Sequence, residues 1–412
     1  MKILLRLAWR NVWRNKVRTV ILICAMTAGL VGVLFSLGLT NSWLDQIREN
    51  AVRTFAGHIK IHHAGYFDRP IVTHAYSAPD SLASTLSAHP AVRAWAPRSS
   101  VQGLLSTASR SRIVTLVGID AEREKQVSVI ADAMQEGGYL DEWKKPGRPI
   151  LISRKLSERI GMGVGKKVVL MSQQFGSNEV GSGAFRIAGV FDTGNVSFDE
   201  NHVYLQQADV QQMLQLGDRV TETVLMLHEM EESEEVALEL SSAYEGEGLA
   251  VLSWKERMPF VDKSMELTRR MMVPYYSVFY IAMAFGIVNT LLMAIGERTH
   301  EIGVMMAVGM GRKWLIFLIL LESMMIAAVA SVLGCAVGGG LVAWIGATGI
   351  DLSAMAEGLA YMGVSRVIYP RLGWEEMTVA GAAALAVAAA FSLYPAWRAA
   401  RMEPVVAIRS VG

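Results

Sequence analysis

Residues 161–167, with the sequence GMGVGKK, have the composition of a loop that could bind nucleotide phosphates. A phosphate-binding loop needs four residues between its outer glycines and a Ser or Thr after the lysine to reach Mg²⁺, and this run has neither. A β-like run, Lys167–Met171, also follows where a helix should begin. We therefore interpret the run as a turn before a strand and expect a partner protein to bind ATP.

Three histidines, His58, His62 and His63, have the residue type of a metal site but lack the neighbours that such a site needs. Positions 58 and 62 would share one face of a strand, yet no cysteine or nearby carboxylate accompanies them. A solvated strand face is the preferred interpretation. The sequence shows no nucleophile elbow and no Cys/His pair, so we expect no metal, no catalytic site and no cofactor bound by this chain itself.

One short polar segment, 297–310, lies between two long apolar runs and has the sequence ERTHEIGVMMAVGM. We call it the polar insert. In a helix, Glu297 and Glu301 would lie four residues apart on one face. A second, apolar face is expected to contain Ile302, Met305, Met306 and Gly309. Such a segment, held at a membrane surface by two helices, suits docking into a groove on a soluble partner.

Two polar residues lie inside apolar runs. Glu322 is about eight residues, or about 12 Å, into its run, where an ionisable group is costly and usually faces another protein group. A polar contact that shifts as the helices move and a Glu that reaches the inner interface are both compatible with this position. For Asn289, a local hydrogen bond between helices is a sufficient explanation.

The composition, 52% hydrophobic and 19% charged over 412 residues, is typical of a chain that is part bilayer and part aqueous domain. A net charge of +1 gives no reason to expect nucleic acid as a partner. The predicted membrane helices contain the apolar runs Val17–Leu39, Val273–Ile295, Trp314–Ile345 and Met377–Pro395. The first of these runs is too long for the core of a signal peptide, and no small-residue cleavage site follows it.

Cations flank these runs in three segments that fall on one side of the membrane if there are four spans. They lie in the first 18 residues, in and after the polar insert, and in the C-terminal tail at Arg398, Arg401 and Arg409. Both termini are therefore expected in the cytoplasm of a multi-pass protein of the bacterial inner membrane. Lys2, Arg6, Arg10 and Arg14 repeat every four residues, which predicts an amphipathic helix with its cations toward lipid headgroups; a plain positively charged flank is the alternative.

Short β-patterned runs alternate with helical patterns between the first and second apolar runs, which predicts an α+β domain there. Its entry, Asn41–Phe55, and its exit, Glu256–Met272, are helical in pattern and would extend the flanking spans as stalks. The predicted organisation is an amphipathic helix at 1–16, spans at 17–39, 273–296, 314–345 and 374–396, the extracytoplasmic domain at 40–272, the polar insert with its flank at 297–313, a short outer loop at 346–373, and a tail at 397–412.

The polar insert resembles the coupling segment of the FtsX-like permeases, which have the pattern Glu-Arg-x-x-Glu-Ile-Gly-x-x-x-Ala-x-Gly. These are the membrane subunits of MacB- and Lol-type ABC transporters. The N-terminal segment at 7–19 and the domain motifs GHIKI at 57–61, VGID at 117–120 and IAGVF at 187–191 resemble the same family in the same order. The resemblance implies a MacB-type periplasmic core domain and ATPase coupling through Glu297, Arg298, Glu301, Ile302, Gly303, Met305, Met306 and Gly309.

A polar loop, 173–183, joins two β-runs and carries Phe175, which the sequence suggests is exposed. In the lipoprotein-releasing permeases, a protruding hairpin at this place engages a periplasmic carrier. The resemblance therefore offers Gln174, Phe175 and Asn178 as partner contacts, and a plain flexible hairpin is the alternative.

The resemblance implies a permease subunit, not itself an enzyme, that works with a separate ABC ATPase dimer and a second permease chain, identical or homologous. Of the family's functions, lipoprotein release from the inner membrane fits best, with a periplasmic carrier or adaptor as a further partner and membrane lipids around the spans. The alternatives are MacB-like efflux of peptides or amphiphiles and FtsX-like regulation of a cell-wall hydrolase.

Overall fold

The computed structural model describes residues 2–67, 69–78, 80–355, 358 and 366–403. The chain divides into two compact units. The first unit, which we call the membrane unit, comprises Met1–Leu44, Met265–Leu352 and Val367–Gly412. The second, which we call the inserted domain, comprises Asp45–Ser264 and Ser353–Arg366.

The membrane unit is built on helices that are long and apolar enough to cross a bilayer, four of them within the described residues. All four predicted apolar runs lie inside these helices. Each helix is longer than its apolar run, because it also includes polar residues at its ends. The bounds are Lys16–Ala51 (α2), Pro259–Glu297 (α10), Arg312–Thr348 (α12) and Trp374–Ala400 (α13). Two short helices, Lys2–Val12 (α1) and Thr299–Ala307 (α11), accompany them.

Small residues set the packing of the bundle. A Cβ added to Gly334 of α12 would lie 2.8 Å from Leu30 Cδ2, and one added to Gly338 would lie 2.8 Å from Leu34 Cδ1, so α12 and α2 approach closely at both glycines. At Gly340, by contrast, no described atom lies within 4 Å of such a Cβ. Close helix contact at a small residue is therefore present at Gly334 and Gly338 and absent at Gly340 within the described residues.

The inserted domain contains one mixed sheet of ten strands with helices on its faces. The strand order is β10-β1-β9-β2-β3-β8-β5-β7-β4, and β6 pairs with β2 and β7. The strands are Ile59–His63 (β1), Val92–Ser106 (β2), Ser111–Ile119 (β3), Met134–Gly137 (β4), Arg148–Ser153 (β5), Lys167–Gln173 (β6), Val180–Phe191 (β7), His202–Gln206 (β8), Glu222–Leu227 (β9) and Leu249–Ser253 (β10).

The helices of this domain are short, and buried apolar residues on several of them pack against strand residues. They are Asp80–Ala88 (α3), Ala121–Val127 (α4), Arg154–Ile160 (α5), Val196–Asp199 (α6), Gln207–Leu214 (α7), Ser233–Ala243 (α8) and Trp254–Arg257 (α9). The predicted α+β domain between the first two spans is confirmed. Strand β2 was not predicted, because it carries Pro97 and Gly103, which obscure its alternation.

The histidine prediction is wrong. His58 and His62 are buried, with exposed fractions of 6% and 0%, because β1 lies inside the sheet between β9 and β10. His58 Nδ1 accepts a hydrogen bond from the backbone N–H of Leu227 at 3.0 Å. Burial lowers the pKa of His58 to about 4, so this ring is neutral at physiological pH.

Two ion pairs are buried in the inserted domain. Lys60 Nζ lies 3.0 Å from Glu222 Oε2, and Arg98 forms a two-pronged pair with Glu124 at 3.0 Å and 2.7 Å. Burial alone would raise the pKa of Glu222, but the nearby cations, Lys60 first, lower it to about 2. Breaking such a buried pair on one side costs about 3–5 kcal/mol. The first pair links β1 to β9, and the second links β2 to the helix Ala121–Val127.

Two parts of the predicted organisation lie partly outside the described residues. In the predicted outer loop, Ile350–Asp351 (β11) pairs with Val367–Ile368 (β12), and residues 356, 357 and 359–365 are not described. In the predicted tail, α13 continues to Ala400, and residues 404–412, including Arg409, are not described.

Candidate functional site at the polar insert

The polar insert folds as its own short helix between α10 and α12. Arg298 lies in the break after α10, with φ −108° and ψ 16°, so Glu297 and Glu301 do not share one continuous helix as the sequence suggested. After α11, Gly309 has a φ of +103°, a conformation that favours glycine, and the chain turns there into α12. The break and the turn together make α11 a separate rigid element at one end of the bundle.

The apolar face expected to dock onto a partner points into the chain's own bundle. Ile302 has an exposed fraction of 4%, and Gly303 is also buried. Met305 and Met306 are half-buried and pack against the same bundle core. Ile302 and Gly303 therefore attach α11 to the bundle, whereas Gly309 of the same predicted face is exposed. Contact of the polar insert with an ATPase stays a prediction.

The outward face of α11 is small and partly apolar. Val304 and Val308 have exposed fractions of 41% and 84%, and Glu301, Ala307 and Gly309 are exposed beside them. Isolated exposed valines are ordinary on a protein surface. Two of them four residues apart, one on α11 and one directly after its last residue, form a surface that a partner groove can cover.

Both acidic residues of the polar insert bind arginines from the segment around the start of α2. Arg14 Nη1 contacts the two carboxylate oxygens of Glu301 at 2.5 Å and 2.6 Å, and Arg18 forms an ion pair with Glu297. The hydrogen bond from Arg14 lowers the pKa of Glu301. Arg14 was expected to face lipid headgroups, and the structure instead shows it bound to protein.

Glu322 is buried in α12 and is bound from two directions. Asn11 of α1 donates from Nδ2 to Glu322 Oε1 at 2.6 Å, and Arg298 Nη1 lies 3.2 Å from Glu322 Oε2. Arg298 Nε also lies 3.4 Å from Glu301 Oε2. The polar contact expected for Glu322 is therefore present, and its partners are Asn11 and Arg298.

These contacts join α1, α12 and the segment before α11. Helix α1 also packs against α12, and Val12 lies in the same apolar cluster as Leu315 and Ile319. A small cavity lies under α11, lined by Arg298 and Glu322 together with apolar residues of α10, α11 and α12. A displacement of α11 must therefore either carry Glu322 and α12 with it or break the buried pair. The arrangement can transmit a push on α11 into the bundle.

Sequence reasoning missed Asn11, Arg14 and Arg18 as members of this site. A signal was present: Arg14 and Arg18 are four residues apart, the same spacing as Glu297 and Glu301, and they pair in reverse order. It was missed because a run of cations beside a span is fully accounted for by the charge bias of membrane proteins.

Asn289 lies on α10 with its side chain exposed, and it makes no hydrogen bond within the described part of the chain. The local interhelical hydrogen bond expected for it is absent from these residues. Neighbouring Met283, Ala284, Ile287 and Leu291 are buried, so Asn289 faces away from the bundle that this helix joins.

The loop between β6 and β7 is anchored at its base. Phe175 is half-buried, packs against the core of the inserted domain and lies 4.7 Å from the guanidinium of Arg219, so the expectation of an exposed Phe175 is wrong. Its backbone N–H also donates to Leu214 O at 2.8 Å. Gln174 is half-buried, and only Asn178 of the three proposed contacts is exposed; a partner contact at this tip stays a prediction.

Within the described residues, no group of three or more His, Cys, Asp and Glu side chains could hold a metal ion.

Comparison with known proteins agrees with these features. Residues 275–404 match the FtsX-like permease C-terminal family, and residues 19–243 match the MacB-like periplasmic core domain family. The chain is 24% identical to the lipoprotein-releasing system transmembrane protein LolC of Xylella fastidiosa strain Temecula1, over 94% of this chain and 92% of that protein.

It is 22% identical to the lipoprotein-releasing system transmembrane protein LolE of Haemophilus influenzae, over 93% of this chain and 92% of that protein. A shorter match, 32% identical over 127 residues, covers 31% of this chain and 17% of the macrolide export ATP-binding/permease protein MacB of Escherichia coli. The core-domain match spans more than half of the chain, and the permease match covers α11 and its flanking spans. The chain therefore belongs to the FtsX-like permease family with a MacB-like periplasmic core domain.

Proposed function

We propose that this chain is the membrane subunit of an ABC transporter that releases lipoproteins from the bacterial inner membrane. The observation that carries the proposal is the construction of α11: a short helix bound by ion pairs to the rest of the membrane unit, with Val304 and Val308 left facing outward. A separate ATPase would bind this outward face and would also bind the ATP. Permeases of the Lol and MacB families work with such ATPase partners.

In the proposed mechanism, the ATPase pair closes and opens as it binds and hydrolyses ATP. Its motion reaches α11, and the buried pair between Arg298 and Glu322 passes it into α12. The spans then drive the inserted domain. Helices α2 and α10 can carry this motion because each of them contains residues of both units. Four spans are few for a transport path, so a second permease chain completes the membrane part.

The direction of insertion follows from charge. The ion pairs of Arg14 and Arg18 put the N-terminal segment and the polar insert at the same end of the bundle. This end carries the excess of cations, which favours the cytoplasm. The inserted domain would then lie in the periplasm, where a lipoprotein carrier could meet it.

Two relatives favour lipoprotein release over efflux. The LolC and LolE matches each extend over more than nine tenths of this chain, whereas the MacB match covers 31% of it. MacB-like efflux is the second candidate, because the local identity to MacB is higher, 32%. Regulation of a cell-wall hydrolase has no observation of this kind in its favour.

The test begins with purification of the full chain from its own membranes and identification of the ATPase that co-purifies. Val308→Asp should abolish that association because it puts a charge at the centre of the outward face. The matched control is Val180→Asp, which changes a valine of similar exposure, 65%, in the inserted domain and should leave the ATPase bound. Equal retention of the ATPase by both variants would contradict the docking assignment.

The cargo is tested separately in membranes that contain the chain and its ATPase. ATP-dependent transfer of a radiolabelled lipoprotein to a soluble carrier is the expected result. Energy-dependent export of a macrolide or amphiphilic peptide without any lipoprotein transfer would support the efflux alternative and overturn lipoprotein release.

A further inference from the structure

One side of α1 attaches it to the bundle, and the other side is exposed. Ala8 and Val12, four residues apart, have exposed fractions of 0% and 7%, and Val12 belongs to the same apolar cluster as Leu315 of α12. Asn11 is on this side too and donates to Glu322. The contacts with the bundle thus use one side of the helix and leave the opposite side uncovered.

Part of the uncovered side is apolar and aromatic. Leu5 and Trp9 of α1 and Trp13 directly after it follow one another at intervals of four residues, with exposed fractions of 42%, 52% and 37%. The two indole rings meet edge to face, with 5.8 Å between their centroids. Tryptophan has an apolar body and a polar N–H, and it is enriched at membrane–water interfaces. We call these three residues the aromatic flank.

Two arginines lie beside the aromatic flank. Arg6 and Arg10 are four residues apart and exposed, and neither forms an ion pair within the described part of the chain. The first 18 residues contain no Asp or Glu that could neutralise them. Arg14 differs, because Glu301 already binds it. The positive charge of Arg6 and Arg10 is therefore available to an anion outside the chain.

The position of α1 favours a lipid as the source of that anion. Only three residues separate its last residue, Val12, from Lys16, where α2 begins, and the apolar run of α2 starts at Val17. Helix α1 is therefore held at the level where a span enters the bilayer. An exposed apolar flank with cations next to it is typical of a helix that lies in the interface and is attracted to anionic lipids. Guanidinium groups also match phosphate oxygens in geometry.

We propose that α1 is a docking surface for anionic phospholipids, whose phosphate groups bind Arg6 and Arg10 while the aromatic flank enters the layer below the headgroups. The inference goes beyond the proposed function and rests on it only in placing this end of the membrane unit at the cytoplasmic leaflet.

A lipid bound in this way also supports the contacts at the polar insert. Asn11 of α1 binds Glu322, and Arg14, two residues after α1 ends, binds Glu301. Anchoring the outer side of α1 keeps both contacts in place, because the helix is then held from the bundle and from the leaflet at once. The bound lipid should therefore stabilise the membrane unit, as any ligand that binds only the folded state does.

The test measures which lipid lies next to α1 in the full chain. Cys24 and Cys335 are replaced by alanine, and Leu5→Cys carries a fluorophore. The protein is placed in phosphatidylcholine nanodiscs that contain either brominated phosphatidylglycerol or brominated phosphatidylcholine, which quench the fluorophore on contact. Stronger quenching by the anionic lipid is the expected result. Both leaflets of a nanodisc have the same composition, so the outcome does not depend on the orientation of the chain.

Variants of the arginines give the size of the effect. The binding constant of phosphatidylglycerol relative to phosphatidylcholine should fall about 5-fold in Arg6→Gln or Arg10→Gln and about 25-fold in the double variant. High salt should weaken the preference in the parent chain. Arg6→Lys with Arg10→Lys keeps both charges and should retain most of it. Arg269→Gln, at an exposed position near the opposite end of α10, is the matched control and should leave the preference unchanged.

A second measurement tests the support of the bundle. Exchange of phosphatidylcholine for phosphatidylglycerol should raise the apparent Tm of the parent chain more than that of Arg6→Gln with Arg10→Gln. Equal increases would overturn the anchoring of α1 by the lipid.

Three further results would overturn the docking surface itself. The first is equal quenching of the parent chain by the two brominated lipids. The second is a loss of preference in Arg269→Gln as large as in the double variant. In the third, Arg6→Gln with Arg10→Gln keeps the lipid preference but no longer retains the ATPase on purification, so the two arginines bind a protein.

Failure here is distinguishable from failure of the proposed function. If the lipid preference is absent while the ATPase still co-purifies and lipoprotein is still released, the docking surface is wrong and the transporter assignment stands. If the lipid preference is present and no ATPase is found, the reverse holds.

Discussion

Arg298 donates from Nη1 to both carboxylate oxygens of Glu322, at 3.3 Å and 3.2 Å, so the residue just before α11 is fixed to the interior of α12. Their side chains are exposed by only 14% and 10%. A pair this well covered is costly to break from one side, because the remaining charge stays buried without its partner.

Replacement of Glu322 by leucine should therefore destabilise the membrane unit by about 3–5 kcal/mol. The double variant Arg298→Met with Glu322→Leu removes both charges and should recover most of this loss. The measurement is the apparent Tm of the purified chain in nanodiscs. If the double variant is no more stable than Glu322→Leu alone, the stability lost in the single variant does not come from breaking this pair.

The pair between Arg14 and Glu301 allows a charge exchange. Glu301→Arg alone should uncouple the ATPase while membrane insertion stays intact, because it places two arginines in contact and releases α11 from the N-terminal segment. The combined exchange, Arg14→Glu with Glu301→Arg, restores an opposite pair and should recover a large part of ATPase stimulation. The readout is stimulation of the co-purified ATPase by the chain in proteoliposomes.

The control for this exchange is Arg14→Glu alone, which should be impaired like Glu301→Arg. Stability itself should change little, by about 0.2–1 kcal/mol, since both side chains are half exposed. If the combined exchange stays fully uncoupled, Glu301 acts directly on the ATPase and its contact with Arg14 is incidental.

Much of the fold could be predicted because membrane helices are recognised by length and hydropathy alone. The four spans and the inserted domain between the first two follow from this, as does the separate polar insert. Strand β2 shows the limit, since a 15-residue strand with Pro97 and Gly103 lacks a clean alternation. Its position becomes evident only from its pairing with β3, β6 and β9.

The sequence indicated the short helix of the polar insert but not which of its sides faces the bundle. Periodicity separates the apolar side of α11 from its polar side, yet it does not say which side meets the bundle and which meets a partner. Ile302 is buried and Val308 is exposed because of packing with α10 and α12, which depends on residues far away in the sequence. For the same reason, the contact of Glu322 with Asn11, 311 positions away, could not be predicted from the sequence.

The close approach of α12 to α2 gives a prediction on packing. Gly334→Leu should lower the stability of the bundle by about 1–3 kcal/mol, because the first added atom already meets Leu30 at 2.8 Å. Gly340→Leu on the same helix meets open space at its first added atom and should be close to neutral. The comparison uses the apparent Tm of each variant in the same lipid; equal losses at both glycines would contradict the assigned contact.

Asp199 of the inserted domain is buried, and its exposed fraction is 1%. It accepts hydrogen bonds from Thr193, including one of 2.7 Å from the hydroxyl to Oδ1. Burial, together with the negative charge of Asp192, raises the pKa of Asp199 from 3.8 to about 7. Asp192 itself is bound by Arg154 and keeps a lowered pKa. The folded domain therefore holds a proton on Asp199 that the unfolded chain releases.

The sign of the pH dependence follows from this proton. Between about pH 4 and pH 7, the folded state binds more protons than the unfolded state, so this group's contribution to stability is present at low pH and is lost as the pH rises through about 7. Asp199→Asn cannot titrate, so its Tm relative to the parent chain should be higher at pH 8 than at pH 5. The exposed Asp218→Asn serves as the control and should show no such change. A difference between Asp199→Asn and the parent chain that is the same at both pH values would contradict the raised pKa of Asp199.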